Sequence, residues 1–491
     1  MRHYLARLVR SGVIYGLGGI FNRFISLLLL PLLTRYLTPE EYGISALLIM
    51  ASFVASSVFS LGLDAGMGPA YFGVGKDEIQ RGKVFQTSRL ILVLSGAVMV
   101  LAGWLTAESL GRWLLSREHM ASLVRLTFLA TFMGIVSLPN SMRLMFEEKA
   151  TKFVGLSAIC NLATVGLNIW LVISLHRGLS GLIEARLLGQ MVLLCVFGLA
   201  APLGGAISFD RKIGIEVLRL SLPMMPLFAG QFLLLQFNTY ILQHMGGLSL
   251  VGIYSVGFTL GQAMQLFVAA FQTSWFPFFM SFMDRQDEAP KLFGRIMTAY
   301  VLGFGLLTLL FFVTARPVAL LFTQQQFHEC WRIVGWSAMA RFFLGIVYVI
   351  SPPSYFAKEV WIHMPMMLAA SVLAIIGNVI CIWFAGLPGA GFGLALGVMW
   401  VPLLTHCWNQ YRGNRYIPMA YETARLFRFA FGFAALALLF QIPRNWSVTG
   451  ELALSAVSIS LLAFVTWRLL ADNEREIVLQ SIDRYRSKAL S

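Results

Sequence analysis

The sequence predicts an all-α integral membrane protein of about fourteen transmembrane helices. Of its 491 residues, 58% are hydrophobic and only 12% are charged, whereas about a quarter of the residues of a soluble domain carry charge. The apolar residues fall in runs of about 18–25 separated by short polar breaks, the length that a helix needs to cross the hydrocarbon core. The ~10-residue alternating segments of a transmembrane β-barrel do not occur.

The first apolar run, 11–34, follows three arginines and is too long for the apolar region of a signal peptide, so it is assigned as the first span. The total is expected to be 12–14, because the last four segments are the least distinct. The other spans are predicted at 43–66, 85–107, 122–143, 153–175, 181–203, 217–242, 250–272, 292–315, 330–351, 363–384, 388–408, 426–442 and 450–470.

Basic residues orient these spans. With the N-terminus in the cytoplasm, cytoplasmic segments hold 25 of the 37 Lys and Arg residues, including all eight lysines, and outer segments hold seven. This asymmetry follows the positive-inside rule and predicts an even number of spans with both termini cytoplasmic. Much of the net charge of +14 is therefore explained by topology, and no nucleic-acid partner is expected.

No enzymatic constellation is present in the sequence. The five cysteines lie in or beside apolar segments at spacings that fit no metal motif. There is no phosphate-binding P-loop, HExxH or CxxC motif. We therefore expect a protein that is not an enzyme and has no metal or cofactor, with energy supplied by an ion gradient, the membrane potential or substrate turnover.

Two hairpins of the sequence share a pattern. Arg35–Gly43 and His244–Gly252 each join a span to a following Gly-Ile pair, at an offset of 209 residues. The repeat predicts two parallel six-helix lobes, as found in transporters that rock one lobe against the other. The expected division is 1–206, 207–410, two appended helices in 411–471 and a cytoplasmic tail 472–491, with Gly204–Glu216 as the linker.

Several segments resemble the polysaccharide transporter family, the Wzx-type oligosaccharide-lipid flippases of the multidrug/oligosaccharidyl-lipid/polysaccharide (MOP) exporter superfamily. Two positions depart from the family pattern: Pro69-Ala70 replace an expected arginine, and Asn238-Thr239-Tyr240 replace an expected Asp-Arg pair. The segments that carry the resemblance are Arg35–Gly43, Leu61–Asp64, Ser221–Pro226, Gly252–Gly257, Ser274–Phe279 and Ser354–Trp361.

The resemblance implies an alternating-access flippase that moves polyprenyl-pyrophosphate-linked oligosaccharide across the inner membrane for O-antigen, capsule or exopolysaccharide assembly. Its partners would be this lipid-linked oligosaccharide, membrane lipid and other polysaccharide-assembly proteins. A lipid II flippase and a cation-coupled multidrug exporter of the same superfamily are the alternatives. A membrane glycan polymerase or ligase is a further class, disfavoured because the predicted outer loops are short.

A pyrophosphate and a glycan require a polar, cationic cavity, so polar residues within spans are the candidates for substrate binding. A charged residue at mid-span costs at least about 2.5 kcal/mol. For the amides, interhelical hydrogen bonding is an equal alternative. The candidates are Arg23, Arg341, Asn22, Arg186, Gln231, Asn238, Gln262, Gln265, Asn161 and Asn168.

The amides are expected to form stripes. On straight helices, Asn161 and Asn168 share a face, as do Gln231 and Asn238, and Gln262 and Gln265 fall with Gln272 within one arc.

Three residues are candidates for ion coupling: Asp64, Glu184 and Arg35. Asp64 is expected near the outer end of the second span, either paired with Arg35 or Arg23 or active in coupling.

Overall fold

The computed structural model describes residues 2–75, 77–203, 209–283, 287, 289–413, 419–442 and 448–469. This part of the chain is helical and contains no strand, which confirms the all-α prediction. Within the described residues, ten segments are long and apolar enough to cross a membrane, or eleven when a bent pair is counted as one span. The α-helices are Arg2–Tyr36 (α1), Pro39–Phe59 (α2), Leu63–Gly73 (α3), Glu78–Leu115 (α4), Ala121–Phe146 (α5), Ala150–Asn168 (α6), Gly178–Ala200 (α7), Arg211–Ser221 (α8), Met225–Leu235 (α9), Phe237–Gly246 (α10), Leu248–Gly261 (α11), Met264–Met280 (α12), Ala289–Phe322 (α13), Trp331–Ile350 (α14), Pro352–Phe356 (α15), His363–Tyr411 (α16), Thr423–Phe440 (α17) and Val448–Leu469 (α18).

Each predicted span overlaps a helix, but several spans are built from more than one helix. The second span breaks after α2, where Gly62 adopts a left-handed conformation (φ 70°) before α3 begins. The seventh combines α8, a short 3₁₀ segment, α9 and α10, with a break at Gln236. In the eighth, α11 and α12 meet at an angle of 40°. The breaks place backbone groups at membrane depth, which is tolerated where they are buried in protein or line a cavity.

The eleventh and twelfth spans are joined within α16. This helix has 49 residues, which would extend about 74 Å and exceed the bilayer thickness twofold. Gly386 leaves the helical conformation (φ 57°, ψ −125°), and the chain folds back on itself. Beyond the turn, Gly393 packs against Asn378 and Gly397 against Ala374. The predicted spans 363–384 and 388–408 are therefore two antiparallel helices.

The last two helices dock on α13. Gly305 of α13 packs against the ring of Phe429 in α17. In α18, the buried carboxylate of Glu451 pairs with Arg316 at 2.9 Å, and the Ser455 hydroxyl donates to the Val313 carbonyl at 2.9 Å.

The two halves meet along α2 and α11, which pack against one another. The linker differs from the expectation, because Arg211 already begins the amphipathic helix α8, whose Ile213 and Val217 are buried against the first half. Residues 204–208 and the predicted tail 472–491 lie outside the described residues. The division into two equivalent lobes stays a prediction.

A candidate anion-binding cleft

A polar cleft of about 280 Å³ lies where α2, α5 and α7 meet the broken seventh span. Arg186, the ninth of the 23 residues of α7, lines the cleft together with Gln190 one turn later. Because residues four apart share a helix face, both side chains face the same space. The break between α9 and α10 brings Gln236 to the cleft from the second half of the chain.

Hydroxyl groups line the wall opposite the arginine. Ser52 and Ser56 come from α2, and Thr131 comes from α5. The Ser52 hydroxyl donates to the Leu48 carbonyl at 3.0 Å, and that of Thr131 donates to the Thr127 carbonyl at 2.8 Å. Their protons are therefore satisfied within their own helices, and their oxygens keep lone pairs for a ligand or water.

The electrostatics of the cleft are those of an anion site. The Nη1 atom of Arg186 is buried and has no hydrogen-bond partner within the described residues. The described lining of the cleft contains no carboxylate. Burying a guanidinium nitrogen without a hydrogen-bond partner costs about 1–3 kcal/mol or more of stability. A bound anion would accept a hydrogen bond from this nitrogen and remove that cost.

Arg341, the corresponding candidate in the second half, is held differently. Its Nε donates to the Oε1 of Gln262, which lies in the bend between α11 and α12. Arg341 also acts electrostatically on Tyr348, whose phenol bonds to Gln272. The structure thus brings the predicted pair Arg341 and Gln262 together in a polar seam between α12 and α14.

Two of the three predicted amide stripes cross an irregularity of a helix. The bend at 262–263 separates Gln262 from Gln265, so these residues do not lie on one straight helix. Gln236, between Gln231 and Asn238, interrupts its helix only locally, since 211–246 still forms one apolar span. The third stripe, on α6, is unbroken. A shared face for these amides stays a prediction.

Three of the amides form hydrogen bonds inside the bundle. Asn238 donates to the Tyr254 hydroxyl at 3.0 Å and to the Ala390 carbonyl at 2.8 Å. Asn161 donates to the carbonyl of Asn22 at 2.8 Å, and Asn168 donates to the Thr164 carbonyl at 2.8 Å in its own helix. These contacts match the interhelical alternative for Asn238 and Asn161; a cavity role for any of the amides stays a prediction.

Two further binding candidates, Gln231 on α9 and Gln265 on α12, are half-buried. Arg23 lies within α1, but its side chain is outside the described part of the structure.

The expected pairing of Asp64 with Arg35 is wrong. Arg35 lies in the last turn of α1. After the following turn, α2 runs about 30 Å back through the bilayer, and Asp64 lies in the first turn of α3. Asp64 therefore lies at the opposite end of the span from Arg35, the cytoplasmic end in the predicted orientation and not the outer one. Its Oδ1 is buried and lacks a hydrogen bond in the described structure.

The other two coupling candidates lie toward helix ends that the predicted orientation places on the outer side. Glu184 pairs with Arg177 at 2.5 Å. Arg35 is exposed in the last turn of α1. The proposed part of these residues in ion coupling stays a prediction.

Sequence reasoning found Arg186 but missed the rest of its cleft. The signal for Gln190 was its i, i+4 spacing from Arg186, and Ser52 and Ser56 share the same spacing on α2. Gln236 gave a weaker signal as a single polar residue between two apolar half-helices. None of these patterns states which helices are neighbours.

The family model described as "Polysaccharide biosynthesis protein" matches residues 8–283, more than half of the chain. The chain belongs to this family. Comparison with curated proteins gives no match. The polysaccharide biosynthesis family thus covers the first half, including the cleft, and part of the second.

Solved structures show the fold that this family member adopts. It resembles the lipid II flippase MurJ in an inward closed conformation, with TM-score 0.68 and 13% identity over 93% of this chain and 99% of that one. An inward-facing multidrug resistance MATE transporter of the MOP superfamily gives TM-score 0.64 and 16% identity, covering 80% and 94% of the two chains. A point mutant of the Vibrio cholerae MATE transporter VcmN gives 0.57 and 16%, covering 84% and 99%. The protein therefore has the MOP fold, and together with the family this supports a transporter or flippase.

Proposed function

We propose that this protein is a flippase that moves a polyprenyl-pyrophosphate-linked oligosaccharide from the cytoplasmic to the outer leaflet of the bacterial inner membrane. The observation that carries the proposal is Arg186, a guanidinium within the span formed by α7 that lines a polar cleft and has a buried nitrogen without a partner in the described structure. A cation held in this way is suited to a phosphate group, because charge-assisted bonds to phosphate are about twice as strong as neutral ones.

The size of the cleft fits a head group better than a whole glycan. At about 280 Å³ it lies just below the usual range of small-molecule pockets, roughly 300–1,000 Å³. The pyrophosphate would bind to Arg186, and the amides of Gln190 and Gln236 would bind phosphate oxygens or the first sugar. The rest of the glycan would lie outside the cleft, between the two lobes, while the polyprenyl tail stays in lipid.

Movement of the lobes 1–206 and 207–410 against each other would carry the head group across. Gln236 supports this mechanism, because it reaches the cleft from the second half and would leave it when the halves separate. Product delivered to the outer leaflet would serve O-antigen, capsule or exopolysaccharide assembly.

The test is translocation by purified protein in proteoliposomes. A fluorescent polyprenyl-pyrophosphate oligosaccharide is placed in the membrane, and its appearance in the opposite leaflet is followed with a membrane-impermeant glycosidase. We expect translocation well above that of protein-free vesicles, and much slower movement of a monophosphate-linked analogue. No translocation above background would overturn the proposal.

Lipid II is the decisive competitor in the same assay, because the similarity to the MurJ structure extends over 93% of this chain. Lipid II is expected to move more slowly than the oligosaccharide. Faster movement of lipid II would favour that second function.

A further inference from the structure

Two equivalent glycines of the sequence repeat are in contact with one another. Gly43 lies in the first turns of α2 and Gly252 in the first turns of α11, 209 residues apart. A Cβ atom built on Gly43 would lie 3.1 Å from the Gly252 nitrogen, and a Cβ built on Gly252 would lie 3.1 Å from the Gly43 nitrogen. The helices therefore cross with their backbones touching.

The contact is reciprocal under the repeat. The position of a Gly43 Cβ falls on the carbonyl oxygen of Leu248, and that of a Gly252 Cβ falls on the carbonyl oxygen of Pro39. Pro39 and Leu248 are again 209 residues apart. Each hairpin therefore makes the same contact with the other. Reciprocal contacts of this kind relate two surfaces by a two-fold axis. The axis relating the two hairpins passes between Gly43 and Gly252.

Other contacts close the same end of the molecule around this crossing. The buried Tyr42 hydroxyl bonds to Thr259, and its ring packs edge-on against Phe327 at 5.9 Å. The Gln326 amide donates to the Leu37 carbonyl at 3.3 Å. Each of these contacts joins the first half of the chain to the second.

We propose that Gly43 and Gly252 form the closing contact of the extracytoplasmic gate, which seals only because neither position carries a side chain. A backbone carbonyl cannot rotate away from an added Cβ as a flexible side chain can. Any larger residue at either position would therefore hold α2 and α11 apart. The extracytoplasmic side follows from the predicted orientation, and the opening of the gate rests on the proposed flippase function.

The proposed gate and the cleft share helix α2. Ser52 follows Gly43 by nine residues on α2, about 14 Å along the axis. Separation of α2 from α11 would open a path from the outer side toward Gln236 and Arg186. Gly43 and Gly252 thus decide whether the anion site is accessible from outside.

Thiol accessibility tests this assignment without any substrate. Gln236→Cys is introduced into a variant whose five native cysteines are replaced, and a membrane-impermeant maleimide is added from either side of proteoliposomes of known orientation. In Gly43→Val and Gly252→Val we expect labelling from the extracytoplasmic side to rise at least fivefold. Gly303→Val is the control, because a Cβ at Gly303 of α13 meets nothing within 4 Å, and its labelling should equal that of the parent.

Gly43→Ala and Gly252→Ala, which add only a Cβ, extend the test to any valine variant that fails to fold. They should show the same change to a smaller extent, with unchanged gel-filtration profiles. Unchanged labelling in the folded glycine variants would overturn the gate, even if translocation fell. A rise from the cytoplasmic side alone would overturn the extracytoplasmic assignment. The flippase function is tested separately. It is overturned when the parent protein does not translocate substrate.

Discussion

Two arginines within membrane-spanning helices, one in each half of the chain, have different surroundings. Arg186 in α7 lines an open cleft and keeps a buried nitrogen without a partner in the described structure. Arg341 in α14 donates to Gln262 at a helix bend. A charged residue within a span is costly to bury wherever it lies. Its neighbours determine whether its hydrogen-bond donors are available to a ligand or are already bonded within the protein.

The two arginines differ in whether their hydrogen-bond donors are already bonded within the protein. An arginine whose donors are satisfied by the protein offers little to an anion, because a ligand would have to displace existing bonds. An arginine with an unsatisfied donor gains from a ligand without such a loss. Because Arg186 lies at a cleft as well, the proposed function gives it the role in substrate binding, and Arg341 is expected to contribute mainly to the stability of the second half.

The largest expected effect is that of Arg186→Gln, which should lower the rate of lipid-linked oligosaccharide translocation by tenfold to a hundredfold. This corresponds to losing one charge-assisted hydrogen bond of about 1.5–3 kcal/mol. Thermal stability should stay equal or rise, because a buried unpaired charge is removed. The measurement is the proteoliposome assay together with thermal unfolding of the same preparation.

The matched control is Arg125→Gln on α5, where the guanidinium stacks on the Trp104 ring at 5.3 Å outside the cleft. Translocation by this variant should remain within about twofold of the parent protein. If Arg186→Gln transported at the parent rate, the cleft would have no part in binding.

The reverse pattern is expected for Gln262→Leu, which removes the partner of Arg341 Nε. This variant should lose about 1 kcal/mol of stability, since Arg341 keeps further interactions. Its translocation rate per folded molecule should change little. The measurement is the thermal unfolding midpoint, with Gln265→Leu as the neighbouring amide control; equal midpoints for the two variants would contradict a special role of the Gln262 bond.

The smallest effect concerns a carboxylate and its basic partners outside the membrane. Between α5 and α6, partial burial raises the pKa of Glu147, but bonds from Arg143 at 2.6 Å and Lys149 at 2.7 Å outweigh it, so its pKa is lowered. A carboxylate with a lowered pKa in the folded state stabilises above its usual pKa of about 4.5 and loses this contribution as the pH falls.

Glu147→Gln should therefore cost at most about 0.5 kcal/mol at pH 7, as is usual for exposed pairs. The difference from the parent should shrink as the pH falls below about 4.5 and vanish once the pH lies below the lowered pKa of folded Glu147, because both side chains are then neutral. Unfolding measured across this pH range provides the check, and a difference that grew on acidification would show that the sign is wrong.

The helices were predictable because the bilayer imposes one length on every apolar run. Even the hairpin in α16 was foreseen as two spans, since Gly386 and Pro388 interrupt the apolar pattern. The breaks at Gln236 and at 262–263 were not foreseen. Both fall inside continuous apolar runs, and apolar composition alone does not show where a helix is interrupted.

The sequence by itself determined the membrane-spanning helical architecture, the residues that are costly to bury and the 209-residue repeat. These properties follow from local composition and spacing, since each helix must satisfy its own backbone in lipid. Only the tertiary structure decided which arginine lines a cleft and which is bonded, and that Gly43 touches Gly252. Those facts depend on contacts between segments far apart in the chain. The hydropathy of a helix does not indicate which other apolar helix it packs against.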